Sequence, residues 1–307
     1  MKAHNIVIGS RGSQLALWQA NWVKSELERL HDNVDIDIRI IATSGDIIQD
    51  VPLAKIGGKG LFVKEIEEAL LANEIDLAVH SMKDVPMELP TELGISVITK
   101  RENPLDALIS KNGEKLADLP QGATIGTSSL RRSSQLLKYR DDFKIHPLRG
   151  NVDTRLRKVE EGKYDAILLA SAGLNRLGWA NRITEEISHD ILLPAMGQGA
   201  LGIETRLDDT KIYDLISTLN HEQTHYAVSA ERSLVGRLDG GCQVPIGAYA
   251  RVEKGLITLK GLVASLDGKI IYKLENVGPV DDAINIGQEL GAQLLKMGAN
   301  EILEKLI

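Results

Sequence analysis

Apolar and polar residues alternate along this chain in blocks that predict strands and helices in turn. Asn5 to Gly9 is a short apolar run typical of a buried strand. Ser13 to Leu30 carries apolar side chains near helical spacing, and Ile36 to Ala42 predicts a second strand. A helix over Phe62 to Leu71 and a strand over Ile75 to His80 follow. This order predicts an α/β fold with largely parallel sheets.

The helix predicted over Phe62 to Leu71 is amphipathic. Phe62, Ile66 and Leu70 recur every four residues and form its apolar face. Its acidic residues are expected on the solvent side; they are Glu65, Glu67 and Glu68.

The alternation resumes after Arg101 to Pro120, a stretch rich in turn signals that marks a candidate domain boundary. Leu193-Pro194 and the glycines at 197, 199 and 202 indicate another crossing of the chain. The sequence therefore predicts a second α/β region between these two points. Its strands and helices alternate over Thr124 to Gly126, Ser129 to Tyr139, Lys144 to Leu148, Val152 to Glu161 and Tyr164 to Ser171.

The last third of the chain follows a different pattern. A helix from about Glu222 to Leu238 opens it, and Asp281 to Leu306 predicts a terminal helix. Between them, three segments alternate like antiparallel strands: Gly247 to Val252, Leu256 to Ala264 and Lys269 to Leu274.

The composition of the 307 residues is that of a globular protein, with 43% hydrophobic and 26% charged residues. The single cysteine excludes an internal disulfide and is compatible with a reducing compartment. The N-terminal apolar run is too short for a signal peptide, and no run approaches membrane-spanning length. We therefore expect a cytoplasmic protein. The net charge of -7 disfavours nucleic acid as a partner, although an acidic protein can hold a basic cleft.

Several predicted strands end in small or hydroxyl residues that a basic residue soon follows. In an open α/β sheet such strand ends line the ligand crevice, where helix N-termini and arginines favour anions. Five such loops, spread over both α/β regions, predict a cleft for a ligand with many carboxylates or phosphates. Their basic and hydroxyl residues include Arg11, Ser13, Lys83, Thr127, Ser129, Arg131, Arg132, Arg149, Arg155 and Arg176.

Asp84 and Cys242 are the two other candidates for chemistry. Asp84 is either a structural residue, as a partner of Lys83 or a turn residue before Pro86, or a carboxylate opposite a cationic or N–H-bearing reactive centre; the spacing leaves both interpretations open. A lone cysteine is more often a small buried hydrophobe than a nucleophile. Two glycines before Cys242 and Pro245 after it predict a tight loop, which favours access to the thiol.

Two familiar motifs are interpreted as structural. His221 to His225 matches H-E-x-x-H but lacks a third ligand at a suitable spacing, and Asn220 with Gln223 predicts a helix cap instead. No metal is expected. Gly197 to Gly202 matches G-x-G-x-x-G, yet an extended segment follows where a dinucleotide site needs a helix. We interpret these glycines as a tight chain crossing.

Longer motifs over nearly the whole chain match one known family. Glu231 to Leu234, Leu238 and Gly240 to Gly247 resemble the cofactor-attachment signature of the hydroxymethylbilane synthases, also called porphobilinogen deaminases. One departure is Leu105, where the family has a basic residue. Six further segments fit in the right order: Arg11 to Ala16, Gly57 to Phe62, His80 to Pro86, Gly126 to Arg132, Arg149 to Val152 and Gln198 to Ala200.

The resemblance implies three domains. Two are periplasmic-binding-protein-like α/β lobes with the active cleft between them: a discontinuous first domain, 1–99 and 200–217, and a second, 105–193. A smaller α+β C-terminal domain, 222–307, would carry the cofactor cysteine.

The resemblance also implies a transferase of porphyrin and haem biosynthesis. It would join four porphobilinogen molecules with loss of ammonia and release hydroxymethylbilane, primed by a dipyrromethane cofactor in thioether linkage to Cys242. A monomer that hands its product to the next enzyme, with no membrane or nucleic-acid partner, is expected. An anion-binding protein of the same fold is the alternative, and it would need neither Cys242 nor Asp84.

Roles for single residues follow from the same resemblance. Asp84 would be catalytic, accepting pyrrole N–H bonds and stabilising the positive charge of an azafulvene ring. Lys59 and Phe62 would belong to a lid. Cofactor binding would fall to Cys242, Lys83, Thr127, Ser129, Arg131, Arg132, Arg155 and Gly199, and substrate carboxylates to Arg11, Ser13, Arg149, Arg176 and Gln198.

Overall fold

The structure, a computed structural model, describes residues 4–47, 63–240 and 244–306. The strands are β1 (His4–Ser10), β2 (Val34–Ile40), β3 (Leu77–Ser81), β4 (Leu93–Ile98), β5 (Asp106–Ser110), β6 (Thr124–Gly126), β7 (Lys144–His146), β8 (Ala166–Ala170), β9 (Glu185–Ile187), β10 (Leu201–Arg206), β11 (Ile246–Glu253), β12 (Leu256–Ala264) and β13 (Ile271–Pro279). The helices are α1 (Gln14–Leu30), α2 (Ser44–Ile47), α3 (Lys64–Leu71), α4 (Leu130–Tyr139), α5 (Val152–Glu160), α6 (Ser171–Arg176), α7 (Thr210–Ile216), α8 (Glu222–Arg237), α9 (Ala283–Leu294) and α10 (Asn300–Leu303). The predicted alternation of strands and helices is confirmed.

The chain divides into two compact units. The first comprises Met1–Arg101 and Ala200–His225, and is therefore discontinuous; the second comprises Glu102–Gly199 and Tyr226–Ile307. Residues 222–307, expected as a third domain, divide between the two units after His225. The three-domain boundaries stay a prediction.

Each unit contains a five-stranded mixed sheet, and the two sheets have the same plan. The strand orders are β2-β1-β3-β10-β4 in the first unit and β7-β6-β8-β5-β9 in the second. In both sheets the first three strands are parallel, and the fourth is antiparallel to both of its neighbours. The expectation of largely parallel sheets is thus wrong for the pairings that involve β10 and β5. These are the strands that follow the first two passages of the chain from one unit to the other.

Helices cover both faces of the first sheet. Ala20, Val23 and Leu27 of α1 are fully buried against an apolar core that includes Ile8 and Ile203. On the other face, α3 packs Ile66 and Leu70 together with Ala78 of β3. Because β1 and β3 are parallel, the loops after their carboxyl ends meet at one edge of the sheet.

The second sheet has an equivalent edge. Fully buried residues on one face, Leu108, Ile125, Leu136 and Leu168, form its core. Strand β8 ends at Ala170, and its antiparallel neighbour β5 begins opposite that residue. The start of β5 therefore lies at the edge where the parallel strands end.

The three-stranded antiparallel sheet β11-β12-β13 confirms the strand pattern of the last third. The single terminal helix predicted over Asp281 to Leu306 is wrong. Helix α9 ends at Leu294, and a turn over Leu295–Ala299 contains Gly298 with φ of 110°. A Cβ at Gly298 would lie 2.8 Å from the hydroxyl of Tyr272, so this turn requires glycine.

Among the described residues, no helix combines the length and the apolarity needed to cross a membrane.

Candidate active site

A pocket in the first unit opens where β1 and β3 end. Arg11 and Ser13 line it from the loop after β1, and His80, Ser81 and Asp84 line it from the end of β3 and the turn beyond. We call it the Asp84 pocket. The remaining wall is mostly apolar and consists of Leu15, Ala16, Gln19, Val63, Ile66 and Val79. Two loops far apart in sequence thus bring a guanidinium, hydroxyls and a carboxylate to one surface.

Asp84 is exposed at the end of a one-turn 3-10 helix, Met82–Asp84, that also contains Lys83. The backbone N–H of Met82 donates to the carbonyl of Ala200 at 3.0 Å, and the side chain of Met82 is almost fully buried. Just before this turn, Gln19 Nε2 donates to Ser81 Oγ at 2.9 Å. Because the start of the turn is held on both sides, Asp84 projects from a fixed backbone.

Ser13 begins α1 as its N-cap. Its Oγ accepts a hydrogen bond from the N–H of Ala16 at 3.3 Å, which satisfies one of the unpaired donors at the helix start. The positive end of the α1 dipole therefore faces the Asp84 pocket beside Arg11, and both favour an anion there.

Buried acids lie behind this pocket, and the sequence did not single them out. Nε2 of His80 lies 2.8 Å from Oε2 of Glu204, and both side chains are buried. Burial, followed by repulsion from Glu204, raises the pKa of Glu67 on α3 to about 7. The expectation that Glu67 lies on the solvent side holds only in part, since the residue is half-buried and its Oε1 is fully buried. A glutamate within the apolar strand Leu201–Arg206 was the signal that could have found this cluster.

The centre of the second unit is Asp106, the first residue of β5. Arg131 donates from Nη1 to Asp106 Oδ2 at 2.7 Å and from Nη2 to Oδ1 at 3.2 Å. Arg132 donates from Nε at 2.9 Å and from Nη2 at 2.7 Å to Oδ1. All three side chains are buried. Sequence reasoning missed Asp106 because it lies within a stretch interpreted as a domain boundary.

Electrostatics fix the charge of this group. Burial alone would raise the pKa of Asp106, but Arg131 and Arg132 hold it well below its usual range. Arg131 also donates to the carbonyl of Leu193, and Arg132 to that of Leu168. The two guanidiniums, expected at a carboxylate-binding surface, are thus oriented by an internal carboxylate and by backbone carbonyls.

Thr127 and Ser129 organise the start of α4, from which these two arginines project. Ser129 is the N-cap, and its Oγ accepts from the N–H of Arg132 at 3.4 Å. Thr127 Oγ1 accepts from the N–H of Ser129 at 3.2 Å. The hydroxyls predicted to bind carboxylates therefore also shape the loop after β6.

Arg149 and Arg155 lie around a turn at Gly150, which has φ of 109°. Arg155 Nε donates to the carbonyl of Gly150 at 2.7 Å, and Lys158 Nζ donates to that of Arg149 at 3.0 Å. Three basic side chains thus surround one loop of the second unit, next to the start of α5.

Arg176 ends α6 and is largely buried. Burial lowers its pKa to about 10, against the opposing effect of Glu102. Its Nη2 donates to the carbonyl of Gly199 at 2.7 Å. This bond connects a predicted carboxylate-binding arginine to the chain crossing.

The crossing at Gly197 to Gly199 requires glycine for steric reasons. Gly199 has φ of 91°, and a Cβ there would lie 2.3 Å from the carbonyl oxygen of Glu102. Gln198 Nε2 donates to the carbonyl of Pro104 at 2.6 Å and to Asp106 Oδ1 at 3.0 Å. A strand, β10, follows the glycines, which confirms the interpretation as a tight crossing.

Glu231, within the segment that resembles the cofactor-attachment signature, is fully buried. Its Oε2 accepts from the N–H of Gly197 at 2.6 Å, and its Oε1 accepts from the N–H of Ala250 at 2.7 Å. One carboxylate on α8 therefore fixes both the crossing and β11.

The H-E-x-x-H segment begins α8, but its cap differs from the expectation. Nδ1 of His221 accepts from the N–H of Thr224 at 3.2 Å, whereas Asn220 Oδ1 accepts from the N–H of Ile98 at 3.1 Å. The imidazole, not the Asn220 amide, caps the helix. Within the described ranges, no group of three or more His, Cys, Asp or Glu residues could hold a metal ion.

Three predicted site residues lie outside the described residues: Lys59, Phe62 and Cys242.

The chain is similar to two family models and to many full-length relatives. The model described as porphobilinogen deaminase, dipyromethane cofactor binding domain, matches residues 6–214, and the porphobilinogen deaminase C-terminal domain matches residues 225–296. The porphobilinogen deaminase of Geobacter metallireducens is 55% identical over 306 residues, covering 100% of this chain and 96% of that protein. That of Syntrophobacter fumaroxidans is 53% identical over 301 residues, covering 98% and 97%.

Solved structures with some likeness include two binding proteins. A probable amino-acid ABC transporter extracellular-binding protein from Bacillus subtilis matches with a TM-score of 0.43 at 13% identity, covering 71% of this chain and 90% of that one. The periplasmic aliphatic sulphonate binding protein from Escherichia coli matches with a TM-score of 0.40 at 16% identity, covering 76% and 70%.

Proposed function

Because this chain belongs to the porphobilinogen deaminase family, we propose specific roles for its residues in that family's reaction. The enzyme is a transferase of tetrapyrrole biosynthesis. It condenses four porphobilinogen molecules stepwise into hydroxymethylbilane, releases ammonia, and uses a dipyrromethane cofactor as primer. One observation carries the assignment of roles: Asp84, Arg11 and Ser13 line a single pocket.

Asp84 is the catalytic residue of this proposal. Loss of ammonia from porphobilinogen leaves an electron-poor ring whose nitrogen carries positive charge. An exposed carboxylate on a fixed turn can accept the pyrrole N–H bond and stabilise that charge as it forms. Proton transfer to the departing amine can pass through the same carboxylate.

Arg11 and the N-terminus of α1 bind a ring carboxylate in the same pocket. Porphobilinogen carries an acetate and a propionate, so a site that takes its ring N–H at Asp84 also needs cationic partners at the ring edge. Arginine suits this role because its two parallel N–H groups match a carboxylate. Ser13 sets the position of the helix start through its cap hydrogen bond.

The remaining basic residues are proposed to bind the carboxylates of the cofactor and of the growing chain. The donor set fits a carboxylate-bearing group, because it consists of guanidiniums, an ammonium, hydroxyls, one side-chain amide and one glycine backbone. Asp106 positions two of these guanidiniums through its charge-assisted bonds. The set comprises Lys83, Thr127, Ser129, Arg131, Arg132, Arg149, Arg155, Arg176, Gln198 and Gly199.

Cys242 is the proposed attachment point, since it is the only thiol in the chain. The cofactor supplies a primer ring to which new rings are added. Glu231 on α8 bonds to Ala250 of β11, and these two elements flank Cys242 in the sequence. Lys59 and Phe62 are proposed to belong to a lid over the site.

Intact mass of the purified holoenzyme tests the attachment. We expect a mass above that of the 307-residue sequence by one dipyrromethane, with the adduct on the peptide that contains Cys242. The Cys242→Ser variant is the matched control and should have the mass of its sequence alone. A wild-type enzyme that makes hydroxymethylbilane at full rate with an unmodified thiol would contradict the proposal.

We further propose that the enzyme acts as a monomer in the cytoplasm and hands its product to the next enzyme of the pathway. A thiol that must form a thioether has to stay reduced, and a reducing compartment provides this. Sedimentation equilibrium of the holoenzyme measures its molar mass and so tests this oligomeric state. A monomer should give the mass of one chain with its cofactor, and a dimer would give twice that mass.

A further inference from the structure

We propose that buried His80 and Glu204 and half-buried Glu67 form a proton-holding cluster that sets the charge behind the Asp84 pocket and thereby the pH range over which the pocket binds porphobilinogen. The three are positioning residues that act through the pocket wall. The inference rests on the proposed role of the Asp84 pocket as a substrate site.

The sheet register places His80 and Glu204 together. Strands β3 and β10 are antiparallel, with Gly202 opposite His80 and Ala78 opposite Glu204, so the two side chains are diagonal neighbours on one face. Their Nε2 and Oε2 atoms lie 2.8 Å apart, and their side chains are 5% and 1% exposed. His80 also lines the Asp84 pocket, so the cluster reaches the site directly.

Helix α3 covers this face of the sheet and brings Glu67 to the pair. Its residues Ile66 and Leu70 pack with Ala78, the residue opposite Glu204. Oε1 of Glu67 and Oε1 of Glu204 are both buried and have no hydrogen-bond donor among the described residues. A buried carboxylate oxygen that accepts no hydrogen bond is costly, and a proton on one of these two oxygens lowers that cost.

The proton count decides the charge of the cluster. With two acidic protons on its three groups, the cluster is neutral. With one proton it carries a net charge of -1, directly behind a pocket that must hold carboxylates.

Other charged groups approach Glu67 from each element packed around it. Glu204 and Glu68 raise its pKa, and His80 lowers it. On α3, Glu65 accepts from Ser44, and on β10, Arg206 is bonded to Asp76 and Asp209. Toward the pocket, the charged groups are Arg11, Lys83 and Asp84.

Burial is the largest cause that raises the pKa of Glu67 to about 7, ahead of repulsion from Glu204. The cluster therefore keeps its second proton below neutral pH and loses it as the pH rises through about 7. Ionised Glu67 adds a negative charge behind Arg11, and this charge repels the two carboxylates of porphobilinogen. We expect a KM increase of about threefold on the alkaline side, allowing for screening by water and salt.

Steady-state kinetics of the holoenzyme between about pH 6 and about pH 8.5 test the inference, since this range brackets the neutral pKa. Between the two ends of this pH range, the KM of the wild type should rise about threefold more than the KM of Glu67→Gln, because of the added charge. The ratio of the kcat values at the two ends of the range should be the same in both enzymes. Glu74→Gln is the matched control in the same unit. Its carboxylate is exposed and pairs with Arg39, so this variant should keep the wild-type KM ratio.

A carbon-13 NMR titration of the glutamate carboxyl groups in the substrate-free holoenzyme gives a second readout. One signal should titrate near pH 7 in the wild type and in Glu74→Gln, and be absent in Glu67→Gln. The inference is overturned if every glutamate titrates below about pH 5.5, near the ordinary range. It is also overturned if Glu67→Gln keeps the wild-type KM ratio.

The two readouts separate this inference from the proposed function. If Glu67→Gln does not fold, the wild-type titration alone decides. Failure of the proposed function appears elsewhere, as an unmodified Cys242 or an active Asp84 variant, and leaves the titration of Glu67 unchanged.

Discussion

The two five-stranded sheets share strand order and strand directions, yet they bury different charges on equivalent strands. The antiparallel strand β10 of the first sheet carries Glu204, which contacts a histidine. The antiparallel strand β5 of the second carries Asp106, which contacts two arginines. One backbone plan thus accommodates a titratable cluster in one unit and a permanently charged cluster in the other.

Because of this difference, the two clusters should respond differently to a change in pH. The carboxyl group of Glu67, whose pKa is raised to about 7, changes charge near neutral pH, whereas a guanidinium stays charged at every pH the enzyme meets. The first unit can therefore adjust the charge behind Asp84. The second unit holds Arg131 and Arg132 in one fixed arrangement.

Replacing Asp106 should have the largest effect on stability and should show most clearly how the two clusters differ. In Asp106→Asn, two buried guanidiniums lose their carboxylate, and we expect the free energy of unfolding to fall by about 3–5 kcal/mol. Urea unfolding of the holoenzyme measures this loss. The first-sheet counterpart, Glu204→Gln, should cost only about 1–3 kcal/mol, because a glutamine amide can keep the hydrogen bond to His80. Equal losses in the two variants would show that the two clusters do not differ in the way described.

The substitution of Asp84 should have the next largest effect, and this effect is on the rate of turnover and not on stability. Asp84→Asn keeps the shape but removes the charge that faces the reacting ring, so turnover should fall by about 100- to 1,000-fold. The cofactor adduct and the unfolding curve should persist. Asp32→Asn, an exposed acid of the same unit outside the Asp84 pocket, is the control. An Asp84→Asn enzyme with near-normal turnover would remove Asp84 from the mechanism.

Within the second unit, substitutions of Arg149 and Arg131 should have different effects. Arg149→Ala should reduce elongation by roughly tenfold through the loss of one carboxylate contact, with little change in unfolding. Arg131→Ala, by contrast, should lower both, since it also removes a partner of buried Asp106. Turnover and urea unfolding are measured for both variants, with the exposed Lys163→Ala as control. Normal kinetics and normal cofactor loading in Arg149→Ala would exclude it from the binding set.

The smallest effect is a pH dependence of opposite sign in the two units. The folded pKa of Asp106 is depressed, so its contribution to stability is present above the ordinary value of 3.8 and is lost as the pH falls below it. The folded pKa of Glu67 is raised, so its contribution is present below 4.5 and is lost as the pH rises through about 7. Hydrogen exchange, corrected for intrinsic rates, should show α4 opening first in acid and α3 opening first above neutral pH.

Most elements were predictable because their signals are local. Ser13 and Ser129 cap helices directly after strands, and the apolar spacing of α1 matches the face it buries. Strand β5 was missed because Asn103-Pro104 and Asn112-Gly113 surround it with turn signals, while its five buried residues are too few to show a period. The break in the terminal helix depends on Tyr272 and Gly298, which meet only after β13 has packed.

By itself, the sequence determined the order of the elements, the basic and hydroxyl residues at the strand ends, and the family motifs, because each of these lies within a few neighbouring residues. The tertiary structure decided which charges pair. Asp106 and Arg131 are 25 residues apart, and His80 and Glu204 are 124 apart. These contacts depend on strand register and on burial, and the strength of a charge pair depends on the low dielectric environment that only packing creates.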